Sequence, residues 1–175
     1  MRLIAALAGA LLACALPQTA SATDERTAAG DSDGSSVIGS GGVFALLDSY
    51  GHPYLLGLQY RGAPRTDWSL RPGIGLLAGE NRMSYLYADL AHDFALPRQW
   101  FATLSFGFGW FDNGDAIDVV DAREFQTVVA VSRRLASGAR IGLSASHISN
   151  GGLSSPNGGT ETLAVFFARP VRPSR

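Results

Sequence analysis

The chain is poor in cysteine: its 175 residues contain only Cys14, which lies inside an apolar run at the N-terminus. That run has the form of a secretory signal, so we expect the mature chain to contain no cysteine. A disulfide framework, a CxxC metal site and a thiol nucleophile are then excluded. Export without cysteine is typical of a bacterial envelope protein.

The predicted signal peptide spans residues 1–22. Met1-Arg2 forms a short positive region, the apolar run follows, and Thr19–Ala22 supplies an A-x-A cleavage site. A faint likeness to a lipoprotein processing site at Leu11–Cys14 is the alternative. Polar residues 23–36 are predicted to form a flexible leader.

Long hydrophobic stretches are missing after the signal, since no segment approaches the ~18–20 apolar residues of a spanning helix. Charge is also scarce, at 17% of residues, while 21 glycines and a positive mean hydropathy indicate a chain that is apolar on more than one side. Without Arg2 the chain has 13 basic and 15 acidic residues, a formal charge of −2, so nothing indicates a nucleic-acid partner. These properties are typical of outer-membrane β-barrels; a secreted β-sandwich is the alternative.

Turn-forming residues divide the chain into eight β-like runs. Eight is even and is the smallest usual strand count for a closed membrane barrel. We therefore predict an all-β, eight-stranded antiparallel transmembrane barrel over residues 37–169, followed by a tail at 170–175. The predicted strands are Val37–Leu47, Tyr54–Tyr60, Trp68–Gly79, Met83–Phe94, Trp100–Trp110, Glu124–Arg134, Ala139–Ser149 and Thr160–Ala168.

Alternation within the runs supports a barrel with lipid outside. From Trp100 to Trp110 every second side chain is large and apolar, with tryptophan at both ends, and small or polar residues lie between them. The run from Trp68 repeats this pattern. The opposite parity places Arg71, Asp89 and Asp93 in the lumen, where ion pairs are expected.

Connection lengths predict the orientation of the barrel. With the N-terminus in the periplasm, the short second, fourth and sixth connections are periplasmic, and the longer fifth and seventh ones are extracellular. The end of the seventh run and the start of the eighth then lie at the outer, cell-surface side.

The candidate catalytic residues are His147, Ser149 and Glu161. Residues i and i+2 of a strand point to the same face, so His147 and Ser149 are expected side by side. An Asn/Gly-rich loop, 150–159, then returns the chain and brings Glu161 beside them. Nucleophile, base and orienting acid form a Ser-His-acid arrangement. All three share the parity of the apolar, lipid-facing residues, where ionisable groups indicate function. A site on the lipid-facing wall requires a lipid substrate.

The pattern H-x-S-N-G-G from His147, followed by N-x-G-x-E ending at Glu161, resembles the lipid A 3-O-deacylases (the PagL family). The resemblance implies an outer-membrane enzyme that hydrolyses the ester-linked 3-hydroxyacyl chain at position 3 of lipid A. It implies lipopolysaccharide of the outer leaflet as the partner, no cofactor, no metal and a homodimer.

Residue by residue, the resemblance makes Ser149 the nucleophile, His147 the general base and Glu161 the orienting acid. Asn150 matches the family's essential asparagine, an oxyanion-hole or loop-positioning residue, and the N–H groups of Gly151 and Gly152 are further candidate oxyanion donors. The chain departs from the family in two ways: Gly151 stands where alanine is common, and a terminal aromatic residue is missing.

Two other functional classes remain open: a non-enzymatic small barrel for adhesion or membrane integrity, and a lipid A acyltransferase.

The other polar residues of note are interpreted without a binding or catalytic role. The loop aspartates lack EF-hand spacing, so a solvated loop is favoured over a calcium site. Arg61 and Arg65 are interpreted as solvated charges, and His52 and His92 as loop and wall residues. The aspartates are Asp112, Asp115, Asp118 and Asp121.

Overall fold

The structure, a computed structural model, describes residues 34–47, 51–65, 67–115, 122–155 and 159–171. The described residues form eight antiparallel strands that pair in chain order, and the last pairs with the first to close a barrel. The predicted fold class is therefore confirmed, whereas the predicted signal peptide lies outside the described residues. The strands are β1 (Ser36–Val43), β2 (Tyr54–Arg61), β3 (Arg71–Gly79), β4 (Ser84–Leu96), β5 (Trp100–Asp112), β6 (Arg123–Arg134), β7 (Arg140–Ser149) and β8 (Thr160–Pro170).

The outer wall of the barrel is apolar. On β5, Leu104, Phe106 and Trp110 project outward and are about half exposed, whereas Thr103 and Ser105 are buried inside. The same alternation holds on the other strands because successive strand residues point to opposite faces. A wall of this kind is stable only against lipid, as in a transmembrane barrel.

Helices contribute little to the described part of the chain, and none of them is long and apolar enough to cross a bilayer.

The lumen has two differently packed halves. At the end that carries the β7–β8 loop, buried apolar and aromatic side chains close the barrel, among them Phe44, Tyr85, Phe111 and Ile148. Towards the opposite end, the Asp93 carboxylate accepts hydrogen bonds from Arg71 and Arg140, each at 2.9 Å, and from Thr103 at 2.6 Å. Together with buried Asp89, these contacts confirm the predicted lumen position of Arg71, Asp89 and Asp93.

The interpretation of Arg61 as a solvated charge is wrong. Strand β2 continues through Arg61, which shares the inward parity of Gln59, so the guanidinium enters the lumen. Its side chain is 12% exposed and forms an ion pair with Asp89 at 3.4 Å. Inward parity overrides the preference of arginine for water because a carboxylate is present there to pair with it.

Three strands are shorter than predicted: β7 by one residue at its start, and β1 and β3 by more. β1 ends at Val43 instead of Leu47, because Ala45 adopts a left-handed conformation (φ +55°) that breaks the extended chain. We call residues 44–47 the strap; its first residue, Phe44, is fully buried in the end of the barrel. Likewise β3 begins at Arg71, since Ser69 has φ +53°, and Trp68 lies exposed in the preceding turn.

Candidate active site

His147 and Glu161 occupy directly opposed positions on β7 and β8. The imidazole Nδ1 lies 3.0 Å from the Glu161 carboxylate Oε1, and the two side chains are 25% and 14% exposed. An ionised carboxylate can only accept a hydrogen bond, so Nδ1 is the donor, and in the neutral imidazole Nε2 then keeps its lone pair. The imidazole is thereby held as the tautomer that a general base needs.

This pair faces outward from the barrel. His147 has the parity of Ile141 and Leu143, and Glu161 that of Leu163, all of which are exposed on the apolar wall. Residues of the opposite parity point into the lumen, as shown by the 2.7 Å contact between the Ser146 and Thr162 hydroxyls. The predicted parity of the two residues is therefore confirmed. Ionisable groups on such a wall are costly, which makes this pair the candidate functional site.

Ser149 is the last residue of β7 and lies on the same outer face, half-buried, two positions beyond His147. Among the described residues, no hydrogen bond joins its hydroxyl to the imidazole. Contacts between nucleophile and base are commonly loose in substrate-free enzymes and shorten when substrate binds.

Asn150 organises the loop that follows. Its side chain is 1% exposed; Oδ1 accepts the Gly152 N–H at 2.8 Å, and Nδ2 donates to the Ser154 carbonyl (3.2 Å) and hydroxyl (2.9 Å). Gly151 and Gly152 have φ of +65° and +84°, values that suit glycine. The Gly151 N–H, unlike that of Gly152, has no hydrogen-bond partner within the described part of the chain.

Gly159, the glycine of the N-x-G-x-E pattern, is a site residue whose contact with the imidazole the pattern did not predict. A Cβ added at this position would lie 2.8 Å from Cε1 and 3.3 Å from Nε2 of His147. The backbone before β8 therefore packs directly on the imidazole edge, and only glycine fits there without displacement. The loop composition predicted a turn at this glycine but carried no signal for contact with the ring.

Phe125 is a site residue that sequence reasoning missed. It pairs with Ser149 across β6 and β7 and packs against Phe106 and Phe108, with ring centroids 5.8 and 5.1 Å apart. A Cβ at Gly151 would meet the Phe125 ring at 3.1 Å. The aromatic cluster thus forms one side of the site. The alternation along β6 predicts that Phe125 faces outward. It does not predict that Phe125 lies opposite Ser149 on β7.

Some candidate positions lie outside the described residues: Asn157 and Gly158 of the motif, and Asp118 and Asp121 of the acidic loop. In the ranges that are described, no group of three or more His, Cys, Asp or Glu side chains is placed to hold a metal ion.

A closed eight-stranded barrel with an apolar exterior is the architecture of a transmembrane β-barrel, and in this chain a His-Glu pair lies on its outer wall. Residues 54–170 match the lipid A 3-O-deacylase (PagL) family. This match covers more than half of the chain, and the protein belongs to that family. No curated protein sequence gives a significant match.

Solved structures share the fold. The outer membrane enzyme PagL superposes with a TM-score of 0.58 at 22% sequence identity, covering 78% of this chain and 99% of that one. Neisserial surface protein A gives a TM-score of 0.61 at 10% identity, with 78% and 97% covered. A de novo designed transmembrane β-barrel gives 0.54 at 10% identity, with 78% and 95% covered. The fold alone therefore does not separate enzymes from other barrels, and function must be argued from the site.

Proposed function

We propose that the protein is an outer-membrane lipid A 3-O-deacylase that uses Ser149 as nucleophile, His147 as general base and Glu161 as orienting acid. The observation that carries the proposal is the 3.0 Å His147–Glu161 pair on the lipid-facing wall. A polar pair on a lipid-facing wall is costly, so its presence there supports a function that involves lipid. Membership in the deacylase family supports lipid A as that lipid.

The proposed reaction is acyl transfer to water. Ser149 Oγ attacks the carbonyl carbon of the ester while His147 Nε2 takes the hydroxyl proton. Glu161 stabilises the imidazolium through Nδ1. Collapse of the tetrahedral intermediate breaks the C–O bond to the sugar, and the imidazolium returns its proton to the leaving oxygen. Water then attacks the acyl-serine while His147 takes its proton; the acyl C–Oγ bond breaks, the imidazolium returns the proton to Ser149 Oγ, and the 3-hydroxy fatty acid is released.

In this mechanism a backbone N–H group in the loop after Ser149 stabilises the oxyanion. The amide of Asn150 is occupied by Ser154 and the N–H of Gly152 by Asn150, so neither is available as the loop stands. The Gly151 N–H is the remaining donor of the three candidates. We therefore assign Asn150 to loop positioning rather than direct oxyanion binding. A preorganised donor of this kind contributes about 2.7–4 kcal/mol to the transition state.

The proposed location is the Gram-negative outer membrane, with the site towards the outer leaflet that contains lipopolysaccharide. The connection lengths support this orientation, since the site lies at the end with the long β5–β6 and β7–β8 connections. The homodimer that the family resemblance implies stays a prediction, which the mass of the detergent-solubilised protein would test. Removal of residues 1–22 stays a prediction too, and the N-terminus of the mature protein would test it.

The test of the function is mass spectrometry of lipid A from cells that express this chain, Ser149→Ala or Ser146→Ala. Ser146 is a matched control because it lies on the same strand but faces the lumen. Loss of one 3-hydroxyacyl mass with the parent and Ser146→Ala, but not Ser149→Ala, supports the deacylase. A gain of an acyl mass would indicate an acyltransferase. Unchanged lipid A, with barrel insertion verified by heat-dependent gel mobility, would leave only the non-enzymatic barrel.

A further inference from the structure

The backbone that carries Glu161 lacks a regular strand neighbour on one side. Strand β1 pairs with β8 only as far as Val43, which is opposite Leu163. Beyond that point Thr160, Glu161 and Thr162 pair with β7 but extend past the end of β1. An unpaired strand edge so close to the site would leave the position of the acid poorly defined.

The strap covers this edge. The Leu46 N–H donates to the Glu161 carbonyl at 3.2 Å, and the Ala45 N–H donates to the Thr160 hydroxyl oxygen at 3.2 Å. Thr160 is fully buried and faces the lumen, so its hydroxyl meets the strap inside the barrel end, whereas the Glu161 side chain faces outward.

The strap itself is held at several points. Phe44 is fully buried, and its N–H donates to the Pro53 carbonyl at 2.8 Å. The His52 Nδ1 lies 2.9 Å from the Ala45 carbonyl. The N–H of Ala45, a residue in the left-handed conformation, donates to the Thr160 hydroxyl oxygen. The strap is therefore a built part of the barrel end, and it can transmit its position to β8.

We propose that the strap positions the catalytic acid and that Thr160 is the positioning residue through which it does so. The inference rests on the proposed function, because it concerns the geometry of that same Ser-His-Glu site. A supporting bond one residue from Glu161 limits the movement of its peptide unit, and with it the Nδ1–Oε1 distance to His147. Misplacement of a catalytic group by ~1 Å costs up to about 100-fold in rate.

The experiment compares Thr160→Val, Thr160→Ser and Thr162→Val in the full-length protein, purified in detergent, with lipid A as the substrate. Valine keeps the volume of threonine but removes the hydroxyl that accepts the Ala45 N–H. Thr162 is the matched control: it is buried, also faces the lumen and lies two positions along the same strand. For Thr160→Val we expect kcat to fall about tenfold with KM unchanged. Thr160→Ser should remain within about twofold of the parent, and so should Thr162→Val.

The inference would be overturned by a parental kcat in Thr160→Val, or by an equal loss in Thr162→Val. Failure of Thr160→Ser to restore kcat would also overturn it, because a lost methyl rather than a lost hydroxyl would then be responsible. A Glu161→Ala variant separates this inference from the function. Parental activity in Glu161→Ala would disprove the proposed triad, whereas an inactive Glu161→Ala beside a fully active Thr160→Val would disprove only the role of the strap. Heat-dependent gel mobility confirms that each variant is a folded barrel.

Discussion

His147 and Glu161 oppose each other across β7 and β8, with 3.0 Å between Nδ1 and Oε1, on a wall that otherwise contacts lipid. A direct cross-strand pair is the closest relationship two side chains on neighbouring strands can have. It brings side chains that are fourteen positions apart in the chain into direct contact. It also makes the acid the residue whose replacement is most informative.

Replacement of Glu161 by glutamine should lower kcat by about 10²–10⁴-fold while KM changes little. The amide nitrogen can donate to Nδ1, which favours the tautomer with the proton on Nε2 and removes the base. Kinetics on purified lipid A would measure this. Glu80→Gln, a carboxylate at the same end of the barrel that contacts the Tyr54 N–H, is the control and should keep the parental rate. Equal losses in both variants would contradict the assigned role.

The assignment of Asn150 to loop positioning predicts graded effects. Asn150→Ala removes all three contacts to Gly152 and Ser154 and should lower kcat about 100-fold. Ser154→Ala removes only the hydroxyl acceptor and leaves the carbonyl, so a loss of only a few-fold is expected. If Asn150 instead bound the oxyanion directly, Ser154→Ala would leave kcat unaltered.

Gly159→Ala tests the close packing on the imidazole. The new Cβ would lie 2.8 Å from His147 Cε1, so the ring or the loop must move, and kcat should fall by at least about tenfold. Gly39→Ala is the matched control, because a Cβ there meets nothing within 4 Å. Both variants should insert as barrels, since the ladder is unchanged. Parental activity in Gly159→Ala would show that the contact is dispensable.

Asp93→Ala should destabilise the barrel without a direct effect on the chemistry. It leaves Arg71 and Arg140 without their shared carboxylate in the lumen, and breaking a buried pair in this way costs about 3–5 kcal/mol. Urea unfolding in lipid vesicles, followed by tryptophan fluorescence, would measure the loss. Asp115→Ala removes the exposed partner of Arg82 and should change the free energy of unfolding little. Comparable stability of the two variants would contradict a structural role for Asp93.

Much of the barrel was predictable because its determinants are local. Alternation along Trp100–Trp110 reveals which side chains face lipid, since strand geometry alone imposes the period of two. The same rule predicted the shared face of His147 and Ser149 and the lumen position of Asp93. The motif from His147 to Glu161 then identified the family. Each of these inferences needed only neighbouring residues and their spacing.

Other features depend on contacts between distant segments, and only the folded chain decides them. Strand β1 ends early at the left-handed turn at Ala45, because Phe44 fills the end of the barrel. The alternation of the sequence does not predict that Phe44 is buried there. Gly159 and Phe125 border the site because register places them beside His147 and Ser149. Arg61 enters the lumen because Asp89, on a different strand, is there to pair with it. A period-two pattern encodes which face a side chain occupies, but closure of the barrel determines which residues meet across that face.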